Sequence, residues 1–170
     1  MKKHSGMRPH DIVVLLKISS KKERPWLMKD LSTELDISAS EVSESLNRSM
    51  LAGLLASDKK KIMQSALLEF LKYGIRYVYP QKPGSIVRGV PTALSYLPLK
   101  KYIISNDAFV WAYAEGKVRG QSIEPLHPSV PKACMRDNRL HELLALVDAL
   151  RVGKIREQNI AIEELERRIL

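Results

Sequence analysis

A single cysteine, Cys134, in a chain of 170 residues leaves no partner for an intramolecular disulfide and no multi-cysteine zinc site, which fits a reducing compartment. No apolar run approaches the ~20 residues that span a bilayer. The opening MKKHSGMRPH leads into IVVLLKISS, too short for a convincing signal peptide, so a cytoplasmic protein with no membrane partner is expected. Internal repeats and low-complexity tracts are missing too.

Catalytic signatures are equally scarce. His10, His127 and His141 have no carboxylate or cysteine at metal-ligand spacing, Cys134 has no local histidine, and Asp107, Asp137 and Asp148 form no acid cluster. KPGSIVRG lacks the glycine spacing and the Lys-Ser/Thr ending of a phosphate loop. These gaps argue against an enzyme, and no cofactor or metal is expected.

Positive charge, by contrast, is plentiful: 28 Lys and Arg face 19 Asp and Glu, for a net charge of +9. Such a field favours an acidic partner, nucleic acid first and an anionic membrane surface second. Its distribution is uneven. Residues 1–30 and 64–120 each carry eight bases against three acids, residues 31–63 carry four against five, and residues 121–170 are balanced at eight and eight. A hydrophobic content of 45% is enough for an ordered core.

Apolar spacing predicts a helix over Arg8 to Lys21 with Pro9 at its start, and a second from about Trp26 to Leu35 after the KKERPW connection. Asp36 to Ser38 reads as a tight turn with Ile37 in the core. Ser38 then caps a third helix, Ala39 to Ala52, with Glu41 completing a capping box. Gly53 closes that helix, and LLAS, DKK and KIMQ read as a strand, a charged tip and a second strand. SALLEFLKY predicts a helix and IRYVYP a strand.

Residues 81–101 hold three prolines and two glycines and predict ordered but irregular loops, with a short helix from Pro91. Phe109 to Leu126 reads as two strands around an Ala-Glu-Gly-Lys turn. Leu140 to Leu150 predicts a helix, and Ile155, Ile162 and Ile169 recur every seven residues on a last one, packing on its own chain or forming a dimer seam. The expected class is α+β, mainly α, in three segments: 1–80, 81–126 as a loop-rich α/β elaboration, and 127–170 as C-terminal helices.

A helix-turn-helix needs apolar residues on its first helix, a tight turn, and an anchored second helix whose far side is free for the major groove. Leu31, Leu35, Ile37, Val42 and Leu46 meet those demands in order. Together with Ser38, Ser43, Gly53 and Leu54, they make the stretch resemble the winged helix-turn-helix family of bacterial transcription regulators, broadly MarR-like and IclR-like. Ser32 and Ser49 stand where the family pattern has alanine and leucine.

The resemblance implies a homodimeric, sequence-specific regulator of double-stranded DNA, most simply a repressor. By position it places Ser38, Ser40, Ser43, Glu44, Ser45, Asn47 and Arg48 at or near DNA, with Lys59, Lys60 and Lys61 on the wing. The reading face is nevertheless serine-rich and acidic, and serine cannot form the bidentate contact by which arginine selects guanine. The alternative is a winged-helix interaction module or antitoxin-like adaptor with a protein partner.

The runs GIRYVYPQKPGSIVRGVPTA, VRGQSIEPLHPSVP and LLALVDALRVGKIRE also resemble a bacterial family in which a winged helix precedes the same arrangement. That likeness supports a regulatory architecture and adds no catalytic residue. Trp26, Trp111, Tyr77, Tyr79 and Tyr113 are read mainly as packing residues. Arg119 with Glu124, and Arg151, Lys154 and Arg156 with Glu157, are read as surface ion pairs.

Overall fold

The computed structural model describes residues 6–170 and is α+β, mainly helical, with one three-stranded sheet. Pro9 starts α1 (Pro9–Ser20), where its missing N–H breaks no helix bond. Asp11 accepts from the Arg8 N–H at 2.7 Å and closes this end. The helix is buried from Asp11 to Ile18 because α2, α3, α7 and α8, described below, all pack on it.

Helices α2 (Met28–Leu35) and α3 (Ala39–Leu51) meet across the expected turn. Asp36 adopts the left-handed conformation at φ 55°, which a short polar side chain tolerates. Ile37 then enters the core, and the Ser32 hydroxyl donates to the Ile37 carbonyl at 2.6 Å. Ser32 thus locks the turn. Ser38 Oγ accepts from the Glu41 N–H at 3.3 Å, half of the expected capping box.

Beyond Gly53 (φ 79°) the expected hairpin is reduced to one bridge, Leu55 with Ile62. Its tip is held by the Asp58 carboxylate, which accepts from the Lys60 and Lys61 N–H groups. Helix α4 (Gln64–Tyr73) follows. IRYVYP is a correction: it forms the short helix α5 (Ile75–Val78), whose fully buried Ile75 sits in an element packed on α7. Packing overrides its β-branched and aromatic composition.

The Pro- and Gly-rich region is also more regular than expected. It contains β1 (Ile86–Pro91) and two 3-10 turns, at Ala93–Ser95 and Leu99–Lys101. Strands β2 (Phe109–Ala112) and β3 (Val118–Ser122) flank the anticipated turn but run parallel to each other. Each pairs antiparallel with β1, Gly89 facing Ala112 on one side and Val118 on the other, so the sheet closes on itself. Only glycine fits at that crossing, since a Cβ on Gly89 would lie 1.9 Å from the Trp111 carbonyl oxygen.

Helices α6 (Val130–Met135), α7 (Asn138–Val152) and α8 (Ile155–Ile169) complete the chain, with α7 at the centre. The sheet is fastened to α7 by Asp148, whose Oδ2 accepts from Thr92 Oγ1 and Trp111 Nε1, both at 2.7 Å, while Oδ1 accepts from Arg151 at 2.9 Å. Burial pushes the Asp148 pKa up against the pull of these donors.

Helix α8 packs on α7 and α4, so much of its isoleucine stripe is consumed within the chain. Leu165 and Ile169 are buried and Ile155 is left 77% exposed. One apolar cluster runs from Ile12 to Ile169 through all three sequence segments. No helix among the described residues is long and apolar enough to cross a membrane.

Candidate nucleic-acid interface

Helix α3 has two faces. Val42, Ser45, Leu46 and Ser49 are buried, whereas Ser40, Glu44, Asn47 and Leu51 form an exposed stripe, with Ser38 exposed at the cap and Ser43 half-buried beside it. Ser45 therefore cannot meet DNA, which corrects its assignment as a contact residue. Its hydroxyl and that of Ser49 are buried on the inward face of α3, which packs against α1, and find no hydrogen-bond partner among the described residues.

Arg48 is likewise engaged inside the molecule. Its Nε and Nη2 donate to Asp11 Oδ2 and Oδ1 at 2.9 and 2.8 Å, and Nη2 lies 3.2 Å from His10 Nε2. The Asp11 side chain is 0% exposed and that of Arg48 11%, so this bidentate pair is structural. The hydrogen bonds to Asp11 raise the Arg48 pKa. Glu44 Oε2 is 3.8 Å from Arg48 Nη1 but remains 67% exposed. An arginine expected to hold phosphate is thus the counter-charge of a buried carboxylate.

The surroundings of this pair explain two further shifts. Burial and the negative charge of Asp11 push the Tyr79 pKa up to about 12, and the buried Tyr79 hydroxyl has no hydrogen-bond partner among the described residues. His127 sits edge-on to His10 with ring centroids 5.6 Å apart. Burial and the neighbouring His10 lower the His127 pKa, despite the opposing pull of Glu41 and Asp36.

Lys59, Lys60 and Lys61, expected on a wing, have separate roles. Lys59 is half-buried with φ 57°, and Lys61 keeps an exposed side chain. Lys60 donates from Nζ to the Trp26 carbonyl at 3.1 Å and lies 4.1 Å from the Trp26 ring centroid, a cation–π contact. This contact docks the tip on the KKERPW connection. There Lys22, Arg24, Lys60 and Lys61 line one groove of about 800 Å³ with Trp26 on its wall. The sequence supplies both basic runs, but their meeting depends on long-range packing.

The proposed surface pairs resolve differently. Arg151 binds Asp148 rather than Glu157, and Glu157 accepts from the Lys154 N–H at the start of α8. Burial drives the Cys134 thiol pKa well above its ordinary value, which disfavours the nucleophilic thiolate. Among the described residues, no group of three or more His, Cys, Asp and Glu is placed to hold a metal.

Sequence reading missed Asp11, which decides the fate of Arg48. The signal was the single acid of α1, at its third position and directly before the apolar run Ile12 to Leu16. No family model, curated protein or solved structure matches this chain.

Proposed function

We propose that the chain is a winged-helix protein that binds double-stranded DNA and regulates transcription, most simply as a homodimeric repressor. The observation that supports this reading is the placement of α3. Its Ser40, Glu44 and Asn47 stripe is exposed, and the same helical unit carries the Lys22, Arg24, Lys60 and Lys61 groove. Such a surface divides the work, with cations neutralising phosphates and a weakly reading helix supplying modest discrimination.

The test is affinity for the protein's own upstream DNA against an unrelated duplex of equal length, titrated over salt, with the solution mass measured alongside. Preference for the upstream duplex by a dimer is the expected result. Equal, weak and salt-sensitive binding to both duplexes would reject sequence-specific regulation.

One observation favours a second reading, a protein-interaction module. The exposed stripe of α3 contains no base and ends in Leu51 at 71% exposure, next to an arginine already spent on Asp11. A partner with a basic, partly apolar surface would suit that stripe better than a phosphate backbone. Capture of a protein partner that is lost in both Leu51→Ser and Glu44→Gln, with no preference for the upstream duplex, would identify it.

A further inference from the structure

A second cleft lies where α1 and α2 meet α6 and the start of α7, with a volume of about 450 Å³. Lys17 is one of its lining residues and is only 6% exposed. Its Nζ is 2.5 Å from Asp137 Oδ2 and 2.9 Å from Glu34 Oε2, and Lys21 Nζ lies 2.7 Å from the same Glu34 oxygen. The two acids of the cleft are therefore matched by two lysines.

Three guanidinium groups remain. Arg24 Nε donates to the Lys21 carbonyl at 3.1 Å and Arg136 Nη2 to the Glu34 carbonyl at 3.1 Å. These bonds fix the side chains without neutralising them. The Arg139 backbone N–H turns to the Asp137 carboxylate, and its guanidinium makes no hydrogen bond or ion pair among the described residues. Ser20 and Thr33 complete a polar lining. Several like charges converging on one concavity are costly unless an anion joins them.

We propose that this cleft binds a small molecule bearing a diphosphate or phosphomonoester group, held by Arg24, Arg136 and Arg139. Planar guanidinium groups match phosphate oxygens bidentately, and the cleft has the size of a small-ligand site. Little apolar surface is available for a large hydrophobic body. Because α2 and α7 both border the cleft, bound ligand would tie the α2–α3 unit to the C-terminal helices and stabilise the protein by mass action. This inference does not rest on DNA binding.

The test uses the full chain with pyrophosphate and inorganic phosphate as probes, by titration calorimetry and thermal unfolding, against chloride at matched ionic strength. Saturable binding of one pyrophosphate per chain and a raised Tm are expected. Arg139→Gln and Arg24→Gln should each weaken the affinity about tenfold, whereas Arg88→Gln on the sheet should leave it unchanged. Both sites are exposed, and an unchanged Tm without ligand will show that the variants fold.

Absence of saturable binding, or equal affinity in Arg139→Gln and the parent, would overturn the proposal. Displacement of pyrophosphate by duplex DNA, lost in the same variants, would also overturn it by assigning the cleft to a phosphodiester backbone. Failure of sequence-specific DNA binding alone would leave this result untouched.

Discussion

Arg48 is 11% exposed and contributes two nitrogens to a carboxylate with no exposure at all, so its removal strands a charge in the interior. Breaking such a pair costs about 3 to 5 kcal/mol, whereas replacing both partners costs much less. Arg48→Ala should therefore lower stability by that amount in denaturant unfolding, with a much smaller loss when Asp11→Asn accompanies Arg48→Met. Unchanged stability combined with lost DNA affinity would restore Arg48 to a phosphate-binding role. Ser45 and Ser49 make the opposite case, because each buries a hydroxyl that has no hydrogen-bond partner among the described residues. Ser49→Ala should be neutral or stabilising by up to about 1 kcal/mol, and a marked loss would reveal a hydrogen bond through water. Spacing was enough to place both side chains on α3. It carried no information on what lies opposite, and Asp11 is 37 residues away from Arg48 in the chain.

Helices α1, α2 and α7 are joined by the Lys17, Glu34 and Asp137 cluster, which makes their packing sensitive to pH. Burial opposes charge on Glu34 and Asp137, but hydrogen bonds from Lys17, and from Lys21 to Glu34, outweigh it and lower both pKa values. Their contribution is complete above the ordinary carboxylate range near ~4 and is lost as pH falls through the lowered folded values. Lys17 is the mirror case: burial would lower its pKa, yet Asp137 and Glu34 raise it. Its contribution is complete below ~10.5 and is lost as pH rises through the folded value. Urea unfolding at stepped pH should show a plateau between these limits, and Asp137→Asn should flatten its acid limb while keeping a capping oxygen for α7. An acid limb unchanged in that variant would remove the cluster from the explanation. At this scale the amphipathic helices were legible to within a residue or two, because one apolar face is enough to define them. Strands β2 and β3 were legible around their turn but their parallel pairing was not, and β1 was missed because it exists by virtue of close backbone approach at Gly89, as was α5, which forms on a surface that α7 supplies.

For the molecule as a whole, a shared core makes the boundaries at residues 80 and 126 boundaries of sequence character rather than of packing. The excess positive charge was legible as a total and by segment, yet its working arrangement was not. Some of it is consumed internally by Asp11, Glu34, Asp137 and Asp148, and some gathers in the groove around Trp26. Under the proposed function, that distribution sets how affinity for DNA should respond to salt. Each phosphate contact contributes a slope of ~0.9 to the fall of log affinity with log salt. Lys59→Ala with Lys61→Ala should reduce that slope by up to about two units and weaken binding to every duplex alike. Lys60 is left in place because its contacts with Trp26 hold the tip, so its loss would mix folding with binding. Glu44→Gln belongs in the same titration: removal of an exposed negative charge should tighten binding to all duplexes if α3 approaches the phosphates, and should shift sequence preference if Glu44 contacts a cytosine amino group. A variant pair that changes neither slope nor preference would place the DNA-facing surface elsewhere and leave the stripe from Ser40 to Leu51 to a protein partner.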